Sequence, residues 1–268
     1  MAVMKRLDFI YCMTITYSEP VSNCHYTLKC VPADMDRQRI ESLKIEVMPE
    51  NYRSRGQDSF GNQMVYGTIE KAHDVFSCRV CGTAVTGCAD SNRQRKGELP
   101  GMYLNLRGLT AAGKELESYC GELAKKLAGR TDGTPYGQAV KLMQCLYEDF
   151  RYEKNCTNVT TTSEDAWRLK RGVCQDYAHI LISLCRMNRI PARYAAGFML
   201  GEGESHAWVE VLWEGKWYGL DPTNNQLVNE DYIYVGIGRD AADCALNRGI
   251  VVGGGQQCQQ VAVAVKEI

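Results

Sequence analysis

The hydrophobic period of this chain changes twice, and that restricts the fold more than any other feature of its 268 residues. Through about residue 100, apolar side chains recur at every second position in short runs, at 9–17, 24–31, 40–47, 63–69 and 75–85. Such alternation marks strands with one face in a core, and turn residues such as Asp58-Ser59-Phe60-Gly61-Asn62 punctuate it. From Thr110 the spacing becomes helical. Thr110 is placed to cap a helix running to about residue 128, with Gly129 as its stop. A second helix is expected at 136–150, and a short third one, capped by Thr162 or Ser163, through Lys170. A fourth opens at Gly172-Val173-Cys174, puts Cys174, Ala178, Leu181, Ile182 and Cys185 on one face, and is ended by Pro191. Alternation then returns at 192–200, 207–213, 216–221 and 261–265. The expected class is α+β: a β-sandwich-like N-terminal domain over 1–100, then helices packed on an antiparallel sheet over 101–268.

Charge and cysteine content narrow the function. Lys plus Arg is 31 and Asp plus Glu is 32, for a net charge of -1. A near-neutral chain offers no general phosphate-binding surface, so no nucleic-acid partner is expected. No run approaches the ~20 apolar residues that cross a bilayer, and no signal peptide is read at the start, so no membrane partner is expected either. Thirteen cysteines, an odd number in a chain long enough to bury a core, argue for reduced thiols and a cytoplasmic location. Most should be small buried hydrophobes; one of them can be a nucleophile.

Three segments carry the chemistry. Gly172-Val173-Cys174-Gln175-Asp176-Tyr177-Ala178 puts a thiol at a helix start, where the dipole favours a thiolate and free N–H groups can hold an oxyanion. Ser205-His206-Ala207-Trp208-Val209-Glu210-Val211 puts an imidazole at the head of a strand, and Gly219-Leu220-Asp221-Pro222-Thr223-Asn224 puts a carboxylate at the end of the next. Hairpin arithmetic links the last two. If Glu214-Gly215 is a two-residue turn, Trp213 opposes Lys216 and Trp208 opposes Asp221. Asp221 then lies diagonal to His206 on one face; a three-residue loop would turn it away.

These blocks, in the order Cys, His, Asp, resemble the catalytic segments of the microbial transglutaminase-like cysteine peptidase family. Ile190-Pro191-Ala192-Arg193-Tyr194 resembles its link from nucleophile helix to sheet, and residues 231–240, with Gly238-Arg239-Asp240, its C-terminal part. Residues 1 to about 90 resemble the β-rich N-terminal domain of such bacterial proteins. The resemblance implies a papain-like core and acyl transfer at amide bonds. It assigns Cys174 as nucleophile, His206 as base and Asp221 as third member. Hydrolysis of a peptide or protein substrate through a thioester, without cofactor or metal, is the leading expectation. A protein-glutamine amine acyltransferase and a non-catalytic binding module are the alternatives.

Other residues invite plainer readings. Asp176 should serve the electrostatics of the helix's first turn or make a supporting hydrogen bond behind the nucleophile, and point away from Cys174. His179, ~140° around the helix from Cys174, should pack or face solvent. His25 and His73 carry no expected role. Cys78-Arg79-Val80-Cys81 with Cys88 has half the spacing of a zinc site, but residues three apart in a strand face opposite ways. Trp208, Trp213 and Trp217 either line a cleft or pack the sheet, Trp213 on the packing side. Tyr152 and Gln138 are candidates for a second oxyanion donor.

Overall fold

The computed structural model describes residues 4–88 and 99–268 and the backbone of 92–93. Five strands come first: β1 (Lys5–Leu28), β2 (Gln38–Met48), β3 (Arg53–Gln57), β4 (Gln63–Ile69) and β5 (His73–Thr86). The short β6 (Asn92–Arg93) precedes α1 (Lys114–Leu127) and α2 (Pro135–Asp149). Next come β7 (Arg151–Tyr152), α3 (Ser163–Leu169), β8 (Arg171–Gly172) and α4 (Cys174–Met187). The C-terminal third holds β9 (Ala192–Met199), β10 (Gly201–Gly203), β11 (His206–Trp213), β12 (Lys216–Asp221), β13 (Gln226–Leu227), β14 (Tyr232–Gly238), β15 (Asn247–Gly253) and β16 (Gln257–Glu267).

β1 organises the first sheet. Two runs were expected there, and the structure makes them one long strand, because the exposed Ser18-Glu19-Pro20 stretch forms a bend and not a reversal. Its first half lies between β5 and β16, its second between β4 and β15. Register shifts between Thr16 and Val21 and between Ser22 and His25 let the sheet curl over itself. One core therefore draws on both halves: Tyr26 of β1 packs on Phe76 of β5, with centroids 5.1 Å apart, inside a cluster with Leu7, Tyr11, Val65 and Val80. The last two strands of the chain thus complete a sheet begun by the first.

The second sheet runs β13-β12-β11-β9-β14, with β6 on β12. One face packs against the helices through Ala192, Tyr194, Val209, Val211 and Leu220. Towards the β14 edge the same face contributes Phe198 and Ile233 to the core of the first sheet, while the other face buries Ala195, Trp208, Tyr232 and Tyr234 in a third cluster. Both faces are covered, which is why β14 reads as a near-continuous apolar run and gave no alternating signal. Its outer edge is closed by two buried side-chain amides. Gln38 donates to the Tyr234 carbonyl and accepts from its amide, and Asn62 does the same for Ile237.

The helices follow the expected pattern with one correction. Thr134 caps α2, accepting from the Gly137 amide, and Thr162 caps α3, accepting from the Asp165 amide. Thr110 does not cap α1. It lies in a 3-10 turn, its hydroxyl bonded to the Arg107 carbonyl and receiving Arg186 Nη1. The carboxylate of Glu164, brought in by α3, instead accepts from the amides of Gly113, Glu115 and Leu116 and caps α1 from 48 or more residues away. No helix among the described residues is long and apolar enough to cross a membrane.

Candidate active site

The β11–β12 hairpin closes with the two-residue turn. Glu214 and Gly215 both have positive φ, at 49° and 72°, as a type I′ turn requires. Trp213 pairs with Lys216 and Val209 with Leu220, so the register places His206 and Asp221 on one face. His206 Nε2 lies 2.7 Å from Asp221 Oδ2. Cys174 lies close enough to the ring to favour its protonated form, and with Nε2 taken by Asp221 the free nitrogen is Nδ1. Three elements, α4, β11 and β12, thus bring Cys174, His206 and Asp221 together, with His206 and Asp221 directly hydrogen-bonded.

The carboxylate is fully buried and saturated. Oδ2 also receives Tyr232 Oη at 2.6 Å and Asn224 Nδ2 at 2.8 Å, while Oδ1 receives the amides of Thr223 at 3.0 Å and Asn224 at 3.2 Å. Burial opposes its charge, but these bonds, led by that from His206, hold it below its ordinary value. Burial also opposes the imidazolium. The hydrogen bond to Asp221 and the proximity of Cys174 outweigh it and raise His206 to about 10. Trp208 lies beneath the imidazole with centroids 6.3 Å apart, and Tyr232 and Tyr234 pack edge-on against that indole.

Cys174 is the first residue of α4 and half-buried. Val173 O takes the amides of Asp176 and Tyr177, and Asp176 takes that of Val173. Among the described residues the amides of Cys174 and Gln175 have no such partner, so two N–H donors remain at the sulfur's end of the helix. Tyr152 is near enough to Cys174 to feel its charge. Lys154, paired to Glu204 at 2.9 Å, is near both.

Gln138 is corrected. Its amide donates to Asn188 Oδ1 just beyond the C-terminal end of α4, and fourteen residues at ~1.5 Å each put that ~20 Å from Cys174. His179 is fully buried, its Nε2 accepting from the Ala241 amide, with burial first and Arg186 second depressing it to about 3. Trp217 is buried under the Arg193 guanidinium, 4.0 Å from its ring centroid, and Trp213 stacks on Tyr136. Cys78 faces the first core, its sulfur 3.9 Å from that of Cys30, while Cys81 turns to the opposite face. Among the described residues no three metal-binding side chains converge, and all thirteen cysteines are free thiols. Sequence reading missed Tyr232 and Asn224 as partners of Asp221. Asn224 stood within a quoted block, but Tyr232 had no local signal, being carried by the doubly buried β14.

Comparison with known proteins places the chain. Residues 122–222 match the transglutaminase-like superfamily, and residues 7–84 match the bacterial transglutaminase-like N-terminal region. The chain is a transglutaminase-like protein: a core of that superfamily behind the bacterial N-terminal region. Cys174, His206 and Asp221 all fall within the core match. An uncharacterised protein of Mycobacterium leprae is 26% identical over 291 residues, covering 99% of this chain and 100% of its own. An uncharacterised protein of Mycobacterium tuberculosis is 28% identical over 273 residues, 88% of this chain and 84% of its own. A crystal structure from Cytophaga hutchinsonii, described as a "putative cysteine protease", superposes with a TM-score of 0.82 at 20% identity, covering 100% of this chain and 92% of that one. That likeness shows the same fold over the whole length.

Proposed function

We propose that this protein is a cysteine-dependent amide hydrolase acting on a peptide or protein segment through a Cys174–His206–Asp221 triad. The observation that carries the reading is a thiol at a helix start beside an imidazole whose Nε2 lies 2.7 Å from a buried, saturated carboxylate. In the first half-reaction Cys174 sulfur attacks the carbonyl carbon and His206 holds the thiol's proton. The amides of Cys174 and Gln175 receive the oxyanion, with Tyr152 as the side-chain donor on the same wall. The tetrahedral intermediate collapses as the C–N bond breaks, and His206 delivers the proton to the leaving amine. Water, deprotonated by the same ring, then attacks the thioester, the C–S bond breaks, and the acid leaves with the thiol restored. Asp221 keeps Nε2 protonated, so Nδ1 is the nitrogen that exchanges protons with substrate.

The test is a fluorogenic peptide-amide library with the wild type, Cys174→Ala and His206→Ala, run with and without a labelled primary amine. Cleavage that vanishes in both variants, with release of free acid, supports the hydrolase. Amine incorporation in its place makes the chain an acyltransferase, and cleavage that persists in Cys174→Ala ends the reading.

A further inference from the structure

Asp176 is the buried carboxyl closest in sequence to the proposed nucleophile, and the hydrolytic steps make no use of it. Its side chain is fully buried and turned back from Cys174: Oδ2 accepts from the Val173 amide at 2.7 Å and from Thr157 Oγ1 at 2.7 Å. No cation pairs with it, and among the described residues Oδ1 has no partner. Burying such a group costs stability unless its hydrogen bonds repay it. The surroundings are shaped to it. A Cβ on Gly172 would come within 2.4 Å of Oδ2, so only glycine leaves room at that position. Gly172 is also tied to the cleft wall, since its carbonyl takes the Glu153 amide at 2.9 Å and β8 pairs with Tyr152. Thr157 continues that wall.

We propose that Asp176 is a positioning residue, whose carboxyl clasps the Val173–Cys174 turn to the Tyr152–Thr157 wall and so fixes the thiol against His206. The proposal rests on the cysteine-hydrolase reading and explains the Gly-Val-Cys-Gln-Asp spacing: glycine supplies the space, the N-cap residue the amide, and the third helical residue the acceptor. Burial raises the carboxyl above its ordinary value and the two hydrogen bonds pull it back, so the clasp tolerates a neutral acceptor. An amide oxygen should do the same work, which separates hydrogen-bond positioning from a need for charge.

The experiment measures, in the full chain, the iodoacetamide rate of Cys174 across pH and hydrogen exchange at the Val173 amide. Misplacing a reacting group by about 1 Å costs up to about a hundredfold. Asp176→Ala is therefore expected to slow alkylation about tenfold or more and to speed Val173 exchange. Asp176→Asn should stay within about threefold of wild type with an unshifted pH profile. A folded Asp176→Ala that reacts like wild type overturns the proposal, and so does an Asp176→Asn as slow as Asp176→Ala. If Asp176→Ala fails to fold, Thr157→Val decides, since it removes one of the two donors and leaves the helix intact. Slower alkylation supports the clasp, and an unchanged rate overturns it. If wild-type Cys174 itself is no more reactive than an ordinary thiol, the hydrolase reading falls. Val173 exchange then judges the clasp alone, faster in Asp176→Ala and unchanged in Asp176→Asn if it stands, and alike in both if it does not.

Discussion

Asp221→Ala is the perturbation that separates a working triad from a decorative one. The carboxylate accepts five hydrogen bonds in a fully buried position. Alanine removes all five acceptors at once. The imidazole loses the partner that keeps its proton on Nε2, and the nitrogen facing sulfur is then free to hold the wrong proton. Loss of the third member of such a constellation costs about 10⁴-fold in turnover, or about 5.5 kcal/mol at 1.36 kcal/mol per decade. The fold also suffers: Tyr232 Oη and the amides of Thr223 and Asn224 lose their acceptor, at about 1–3 kcal/mol for each that stays buried. A fall of at least about 3 kcal/mol, or about 6–12 °C in Tm, follows. Asp221→Asn keeps one acceptor oxygen for five donors and should fall between. The assays are turnover of a cleaved peptide amide and thermal melting of the same preparations. A folded Asp221→Ala that keeps turnover within tenfold of wild type would refute the reasoning.

Other outcomes follow from the same contacts. His206 is raised from 6.5 to about 10, so its contribution to stability is complete below about pH 6.5 and lost as pH climbs through about 10. Asp221 is held below 3.8, so its contribution is complete above that value and lost as pH falls through the lowered one. The stability margin of wild type over Asp221→Ala should therefore be widest between about pH 4 and 6.5 and shrink towards pH 10, read by denaturant titration at each pH. Glu210→Ala takes the carboxylate, 2.7 Å away, from the buried Arg193 guanidinium and should cost about 3–5 kcal/mol of stability; a loss under 1 kcal/mol would contradict that. Glu164→Ala uncaps α1 and should cost about 1–2 kcal/mol, with faster exchange at Gly113, Glu115 and Leu116 and unchanged Cys174 alkylation.

What the sequence disclosed, and what it hid, divides by the range of the forces involved. The Glu214-Gly215 turn is local chemistry, and from it the facing of His206 and Asp221 could be counted before any coordinates. Thr162 signalled its helix for the same reason, its hydroxyl serving an amide three residues on, while Thr134, which caps α2 in the same way, was not read from the sequence. Thr110 had the same look, yet α1 is capped by Glu164, a tertiary partner no local rule reaches. β3 is a polar Arg53–Gln57 strand and β15 an exposed one, so neither has the alternation that burial imposes. β14 failed for the opposite reason, being covered on both faces, and Tyr232 was hidden with it. Gln138 sat on the expected helix, but which end of α4 it met depended on packing direction, which periodicity does not encode.

The central claim is that position, and not exposure, decides which of thirteen thiols reacts. Cys88 and Cys258 are the exposed ones, while Cys174 is half-buried at the head of α4. Sub-stoichiometric iodoacetamide at neutral pH, followed by peptide mass spectrometry, lets the thiols compete within one molecule. The account predicts label on Cys174 in at least about tenfold preference to Cys88 and Cys258, abolished by His206→Ala. Label distributed by exposure, with Cys174 behind both, would contradict it.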